Sequence, residues 1–264
     1  MTNFAFSSSH PPQDHVVMMV TGATSGIGES IARHAAKAGG FALVLTGRRK
    51  NRLSALVAEF RSKGVSVEAL AFDVRDRQAT IAACSSIPAD WTPKVLINNA
   101  GLAVGLGPLD EGEWDDWDRM LDTNIKGLLH VTKSLAPRMS RGCRIVNIGS
   151  IAGRQAYPGA AVYNASKFAV DGLTQAMRMD LLPRGIQVIQ IAPGAVHTEF
   201  SEVRFKGDVQ RAESVYQGFQ PLVADDVAET VMFAVTRPEH VCIQDLLVMP
   251  SDQASAYHFN RSAS

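Results

Sequence analysis

Val16-Val-Met-Met-Val-Thr-Gly-Ala-Thr-Ser-Gly-Ile-Gly28 joins a short apolar run to a glycine-rich loop. Apolar residues then recur at helical spacing over 29–38, until Gly39-Gly40 ends the pattern. Strand, glycine loop and helix in that order make a phosphate cradle: glycines let the backbone turn and approach a diphosphate, and the helix start offers free N–H groups and a positive dipole end. The spacing is Gly22-x-x-x-Gly26-x-Gly28 rather than the commoner Gly-x-Gly-x-x-Gly. An ordinary turn would use the same glycines, so the weight lies in the strand before them and the helix after.

Outward from this stretch the alternation repeats. Apolar runs at 41–46, 69–74, 94–98, 144–149, 185–191 and 245–249 read as buried strands, each separated from the next by a helical or loop segment. The expected fold class is therefore α/β: a single-domain, Rossmann-type, doubly wound parallel sheet of about seven strands with helices on both faces. Residues 1–15 read as a flexible N-terminal leader, 16–250 as the nucleotide-binding and catalytic body, and 251–264 as a tail whose Tyr257 and Phe259 suit a subunit contact or no order at all. Within the body, 195–220 loses its apolar pattern and gains Glu202, Arg204, Lys206, Asp208 and Arg211, which reads as a mobile flap over a reaction site.

Composition narrows the functions. Lys plus Arg and Asp plus Glu both number 26 in 264 residues, so net charge is zero, which gives no support to nucleic-acid or membrane-surface binding. No apolar run approaches the ~20 residues that span a bilayer, and the start lacks a signal peptide's apolar centre. Three widely spaced cysteines (Cys84, Cys143, Cys242) argue against a disulfide framework and for a reducing cytoplasm. No Cys-x-x-Cys or His-x-x-x-His spacing supports a metal site.

The chemistry concentrates after the fifth strand. On the helix that starts near Ala160, Tyr163 and Lys167 stand four apart and share a face. An ammonium beside a phenol favours phenolate, which predicts a lowered Tyr163 pKa. Ser150, at the strand end, is placed to steady a substrate oxygen while Tyr163 exchanges a proton with it. A plain surface pair is the alternative. Asn124, in Asp122-Thr-Asn-Ile-Lys-Gly127, is a middling helix former on an otherwise apolar helix; an amide there bends the helix or holds a water toward Lys167.

At the end of the second strand, where an acidic residue would bind an NAD ribose, the chain reads Gly47-Arg-Arg-Lys-Asn-Arg52. Cations at a helix start cost roughly 0.3–1 kcal/mol each against the dipole, a cost an anionic partner would offset. The 2′-phosphate of NADP fits, with Arg48 as first choice for the contact and Arg49 as second, against a reading as solvated surface. Asp73 either accepts from an adenine amino group or caps the next helix. Asn99, at the carboxyl end of the fourth strand, either lines a cofactor or ties adjacent loops.

Together, Thr21-Gly22-x-x-x-Gly26-x-Gly28, Asn98-Asn99-Ala100-Gly101, Asn124, Ser150, Tyr163-x-x-x-Lys167 and Pro193-Gly194 resemble the short-chain dehydrogenase/reductase family over residues 16–250. The resemblance implies a catalytic tetrad of Asn124, Ser150, Tyr163 and Lys167, with Tyr163 as acid/base, Ser150 polarising the carbonyl, Lys167 tuning Tyr163 and holding the nicotinamide ribose, and Asn124 completing a water-linked relay. It implies NADP(H) bound by Gly22, Thr24, Ser25, Gly26, Ile27, Gly28, Arg48, Arg49, Asn99, Ala100, Gly101, Tyr163, Lys167, Pro193, Gly194 and Val196, with Asp73 and Val74 at the adenine and Thr198 at the carboxamide. It also implies a homo-oligomer, a tetramer or dimer.

A closer resemblance, to the NADP-dependent 3-hydroxy acid dehydrogenase branch, rests on Thr46-Gly-Arg-Arg49, Asn99-Ala-Gly-Leu-Ala103, Asp122-Thr-Asn-Ile-Lys-Gly127 and the run from Thr198 to Asp208. It implies a small, anionic substrate, a short 3-hydroxy acid or its semialdehyde, for which Arg204 and Lys206 would supply cations or merely solvate the flap. Arg154-Gln155-Ala156 before Tyr157 departs from that branch, so Arg154 either meets an anion or faces solvent. A broader carbonyl or 3-oxoacyl thioester reductase, or an NADP-sensing protein without turnover, are the alternatives.

Overall fold

Met18 and Met19 are neighbours in β1 (Val16–Val20), and both are fully buried, on opposite faces of a sheet. This is the mark of a central strand covered on both sides. The structure, a computed structural model, describes residues 6 and 10–262. From β1 the chain passes through α1 (Gly26–Ala38), β2 (Phe41–Gly47), α2 (Lys50–Ser62), β3 (Val67–Ala71), α3 (Arg77–Ser85), β4 (Val95–Asn98) and α4 (Trp114–Leu121). A π-helical turn (Asp122–Gly127) joins α4 to α5 (Leu128–Leu135), and β5 (Arg144–Ile148), α6 (Ala161–Leu181) and β6 (Gln187–Pro193) follow. The short pieces β7 (Val196–His197), α7 (Phe200–Arg204), α8 (Val209–Ser214) and β8 (Leu222–Val223) precede α9 (Ala224–Val235) and the last strand, β9 (Asp245–Val248).

Seven parallel strands take the order β3-β2-β1-β4-β5-β6-β9, a Rossmann-type sheet. Side chains alternate along each strand between two cores. One holds Met18, Val20, Leu43, Leu45 and Ile97 against Ile31 and Ala35 of α1, Phe60 of α2 and Val231 of α9. The other holds Val17, Met19, Val44 and Leu96 against Cys84 of α3, Val131 of α5 and Trp91. Strand order reverses between β1 and β4, so the chains leaving their carboxyl ends part toward opposite faces and open a cleft there. At the opposite pole the chain enters β2 through Gly39-Gly40, both in the left-handed region (φ 72° and 71°), with no atom near the place a Cβ would occupy on either.

Several boundaries differ from expectation. α1 begins at Gly26, so the last glycines of the loop form its first turn. The expected long helix is broken at Asn124: its Oδ1 accepts from Leu102 N and its Nδ2 donates to Leu102 O, both at 2.9 Å, and the π turn turns the amide toward the chain leaving β4. The flap segment is built as α7 and α8, with β7 paired to β8. The tail packs on its own chain: Phe259 meets Phe219 at 4.9 Å between ring centroids, and Arg261 lies over both rings. Of the leader, residues 1–5 and 7–9 fall outside the described set, while Phe6 sits 5.8 Å from the Trp91 ring. No helix among the described residues is long and apolar enough to cross a membrane.

Candidate active site

The two strand ends flanking the reversal are laced together. Thr21 Oγ1 accepts from Asn99 N and Ala100 N at 3.0 Å and donates to Ile97 O at 3.2 Å. Asn99 Nδ2 donates to Thr21 O at 2.8 Å and Gly22 O at 3.3 Å, so this amide both ties the loops and lines the cleft. A Cβ on Gly22 would stand 3.0 Å from Ala100 Cα, and one on Gly28 only 2.4 Å from Gly22 O. Ser25, at the N-cap of α1, makes no side-chain cap bond, which leaves the first-turn amides available. A cradle this close, walled by backbone and facing a helix start, fits a dinucleotide's diphosphate. Every residue expected at the cofactor lines this one cleft except Gly28, which is spent on letting α1 approach the β1 and β4 ends.

At the far end of the cleft from the reaction residues, Arg48 faces Asp73 at 3.7 Å. Asp73 does not cap the next helix: Asp76 does, accepting from Ala79 N, while Asp73 accepts from Arg75 N and its guanidinium. Those arginines hold the Asp73 carboxyl below its ordinary range despite its partial burial. Arg49 donates to Thr24 Oγ1 at 3.0 Å and Ser25 Oγ at 2.5 Å, binding the cation run to the glycine loop. Two members of this end were missed in sequence: Arg52, visible only as the last of the cationic run, and Glu199, which pairs with both Arg49 and Arg52 from 150 and 147 residues away. Such separation leaves no local signal.

At the near end, Ser150 leaves β5 and caps a short 3₁₀ turn, its Oγ accepting from Ala152 N at 3.1 Å. Tyr163 and Lys167 reach the same place from one face of α6. Lys167 Nζ donates to Ile148 O at 3.0 Å and lies 6.0 Å from the Tyr163 ring centroid. Burial lowers the ammonium to about 8. Burial also pushes the Tyr163 phenol up, opposed by the Arg204 charge and a hydrogen bond with Ser150. The direction is opposite to the expected lowering by Lys167: dry surroundings raise the phenol, and the cation that opposes them is Arg204. Asn124 stands behind the cleft wall, where its Nδ2 also donates to Ser166 Oγ at 3.0 Å.

The flap covers this end. Phe200 packs on Tyr163 with centroids 5.8 Å apart. The Arg204 guanidinium lies 5.2 Å above the Tyr163 ring and 5.5 Å from the Tyr157 ring, and its Nη2 donates to Tyr157 Oη at 2.5 Å. Arg204 Nε is buried and has no hydrogen-bond partner among the described residues. Lys206 points elsewhere, to Asp116 Oδ2 at 2.7 Å, and Arg154 pairs with Asp245 at the start of β9, outside the cleft. A second cavity of about 280 Å³ opens beyond Tyr163, walled in part by Arg204, Lys206 and Trp117.

The profile of the family described as short chain dehydrogenase matches residues 16–208. Sulfoacetaldehyde reductase 2 of Chromohalobacter salexigens is 43% identical over 250 residues, covering 93% of this chain and 98% of that protein. The NADP-dependent 3-hydroxy acid dehydrogenase of Schizosaccharomyces pombe is 40% identical over 253 residues, covering 94% and 97%. The closed form of a serine dehydrogenase complexed with NADP+ superposes with a TM-score of 0.86 at 40% identity, covering 94% of this chain and all of that one.

Proposed function

This chain belongs to the short chain dehydrogenase family and is an oxidoreductase of alcohol groups, and from that premise we propose that it uses NADP(H) to interconvert a short anionic aldehyde and its hydroxy acid. NADP(H), when bound, supplies or takes up the hydride. The glycine loop would carry its diphosphate, Arg48 and Arg49 its 2′-phosphate, Asp73 and Val74 its adenine. Asn99, Ala100, Gly101, Pro193, Gly194, Val196, Thr198 and Lys167 would border its nicotinamide half.

In this reading Tyr163 is the acid/base. Burial holds its phenol protonated at neutral pH, which suits donation to a carbonyl oxygen as that oxygen gains charge. Ser150 polarises the same oxygen, Lys167 supplies positive charge beneath it, and Asn124 ties the π turn to Leu102 beyond β4 and to Ser166 of α6. The observation that carries the substrate class is Arg204: a guanidinium 5.2 Å from the Tyr163 ring with a buried, unpartnered Nε. A carboxylate or sulfonate on a short substrate would take that N–H while its carbonyl meets Tyr163. Lys206 and Arg154, already paired, are left out of the substrate site.

The test is NADPH oxidation with sulfoacetaldehyde, malonic semialdehyde and a neutral aldehyde of equal length. Arg204→Gln should raise KM for the two anions about 10–100-fold and the neutral substrate far less, as expected for losing a charge-assisted hydrogen bond. Equal effects on all three would remove the anion reading. The second cavity favours a rival, a reductase of longer carbonyl or 3-oxoacyl substrates, which would instead turn over the longest members of such a series fastest. The exposed apolar side chains Phe168 and Met179 of α6 and Leu182 just beyond it support self-association as a dimer or tetramer, and three free cysteines suit the cytoplasm.

A further inference from the structure

Glu199 lies in the flap as the residue immediately before α7, yet its carboxylate is spent on the other side of the cleft. Oε2 accepts from Arg49 Nη1 at 2.9 Å and Oε1 from Arg52 Nη1 at 2.7 Å. Arg49 is meanwhile bound to Thr24 and Ser25, so one carboxylate ties the root of α7 to the glycine loop and the start of α2. Glu199 and Arg49 both line the cleft. Among the described residues neither Arg49 nor Arg52 pairs with any other carboxylate, so two guanidinium groups share a single negative charge. A phosphate dianion satisfies that pair better than a carboxylate, with more charge and more acceptor oxygens.

We infer that Glu199 is a resident stand-in for the cofactor's 2′-phosphate: it pairs Arg49 and Arg52 when no phosphate is present and is displaced when one arrives. The inference rests on the NADP reading above. It makes Glu199 a specificity-determining residue that favours release of the flap root by a phosphorylated cofactor over one lacking that group. The consequence reaches the reaction centre, because Glu199 leads directly into α7, which ends at Arg204 above Tyr163.

The probes are adenosine 2′,5′-bisphosphate and adenosine 5′-monophosphate, titrated calorimetrically into wild type and Glu199→Gln, with hydrogen exchange of the 200–205 amides as the second readout. The variant should bind the bisphosphate about fivefold more tightly, the scale of one exposed ion pair removed from competition, and the monophosphate within about twofold of wild type. In wild type the bisphosphate should speed exchange over 200–205 and the monophosphate should not. In the variant exchange should be fast before any ligand is added. A wild type that prefers the bisphosphate, with a variant that binds it no tighter, overturns this inference alone. Faster exchange absent in both proteins also overturns it. A wild type that binds both probes equally overturns the NADP reading and this inference with it.

Discussion

Burial moves Tyr163 and Lys167 in opposite directions on the pH scale and for one reason: a dry site disfavours charge of either sign, so the phenol rises and the ammonium falls. Tyr163→Phe should lower turnover by about 10²–10⁴-fold, the usual worth of a positioned acid or base, while the NADPH dissociation constant read by fluorescence stays within about threefold. Full activity in that variant would end the proton role. Lys167 is lowered from 10.5 to about 8, so the folded chain binds its proton less well than the unfolded chain does. The destabilisation is complete below about pH 8 and disappears as pH climbs toward 10.5. Lys167→Met should therefore raise the unfolding free energy from urea titration most at pH 7, by at most about 3 kcal/mol, with the gain fading between pH 8 and 10.5. A pH-independent gain would refute burial as the cause. Spacing made the Tyr163–Lys167 pair legible in the sequence; the direction of the phenol's shift was not, because spacing carries no information about water. Arg154 and Arg204 looked equally placed for an anion, and only the fold separates the one paired with Asp245 from the one with a free Nε.

Helix α1 shows how an element is made to fit its site. Gly28 is buried against Asn99 and the Gly22 carbonyl, and a methyl group there would lie 2.3 Å from Asn99 Nδ2. Gly28→Ala should cost about 1–3 kcal/mol by overpacking, seen as a lower denaturant midpoint, and should weaken NADPH binding because α1 must shift outward. An unchanged midpoint would mean the helix yields freely. Strands and most helices were legible because their periodicities are strong and local. The break between α4 and α5 was signalled only by Asn124, since its three hydrogen bonds go to Leu102 and Ser166 on separate parts of the chain. Likewise Asp73 and Asp76 are equally good caps by type, and the choice between them is made by where α3 begins.

For the molecule as a whole, alternation of strands and helices was enough to give the parallel sheet, but not what covers its outer helices. On α6, Phe168 and Met179 are 44% and 69% exposed, and Gly172 between them has open space where a side chain would be. Large apolar groups aligned on one helix face are expected to meet a second copy. Replacing both with glutamate should shift the protein to a smaller species by size exclusion with light scattering; an unchanged mass would place assembly on another face. The tail could not be placed from sequence because Phe219, which meets Phe259, and Gln155, which accepts from Ala256 N, lie in segments with no periodicity of their own. All the chemistry gathers where the strands end, which leaves the pole that carries Gly39-Gly40 silent. A peptide grafted between those two glycines would fasten the protein to a bead or an electrode with its mouth turned to the liquid, so substrate delivery would owe nothing to the anchor.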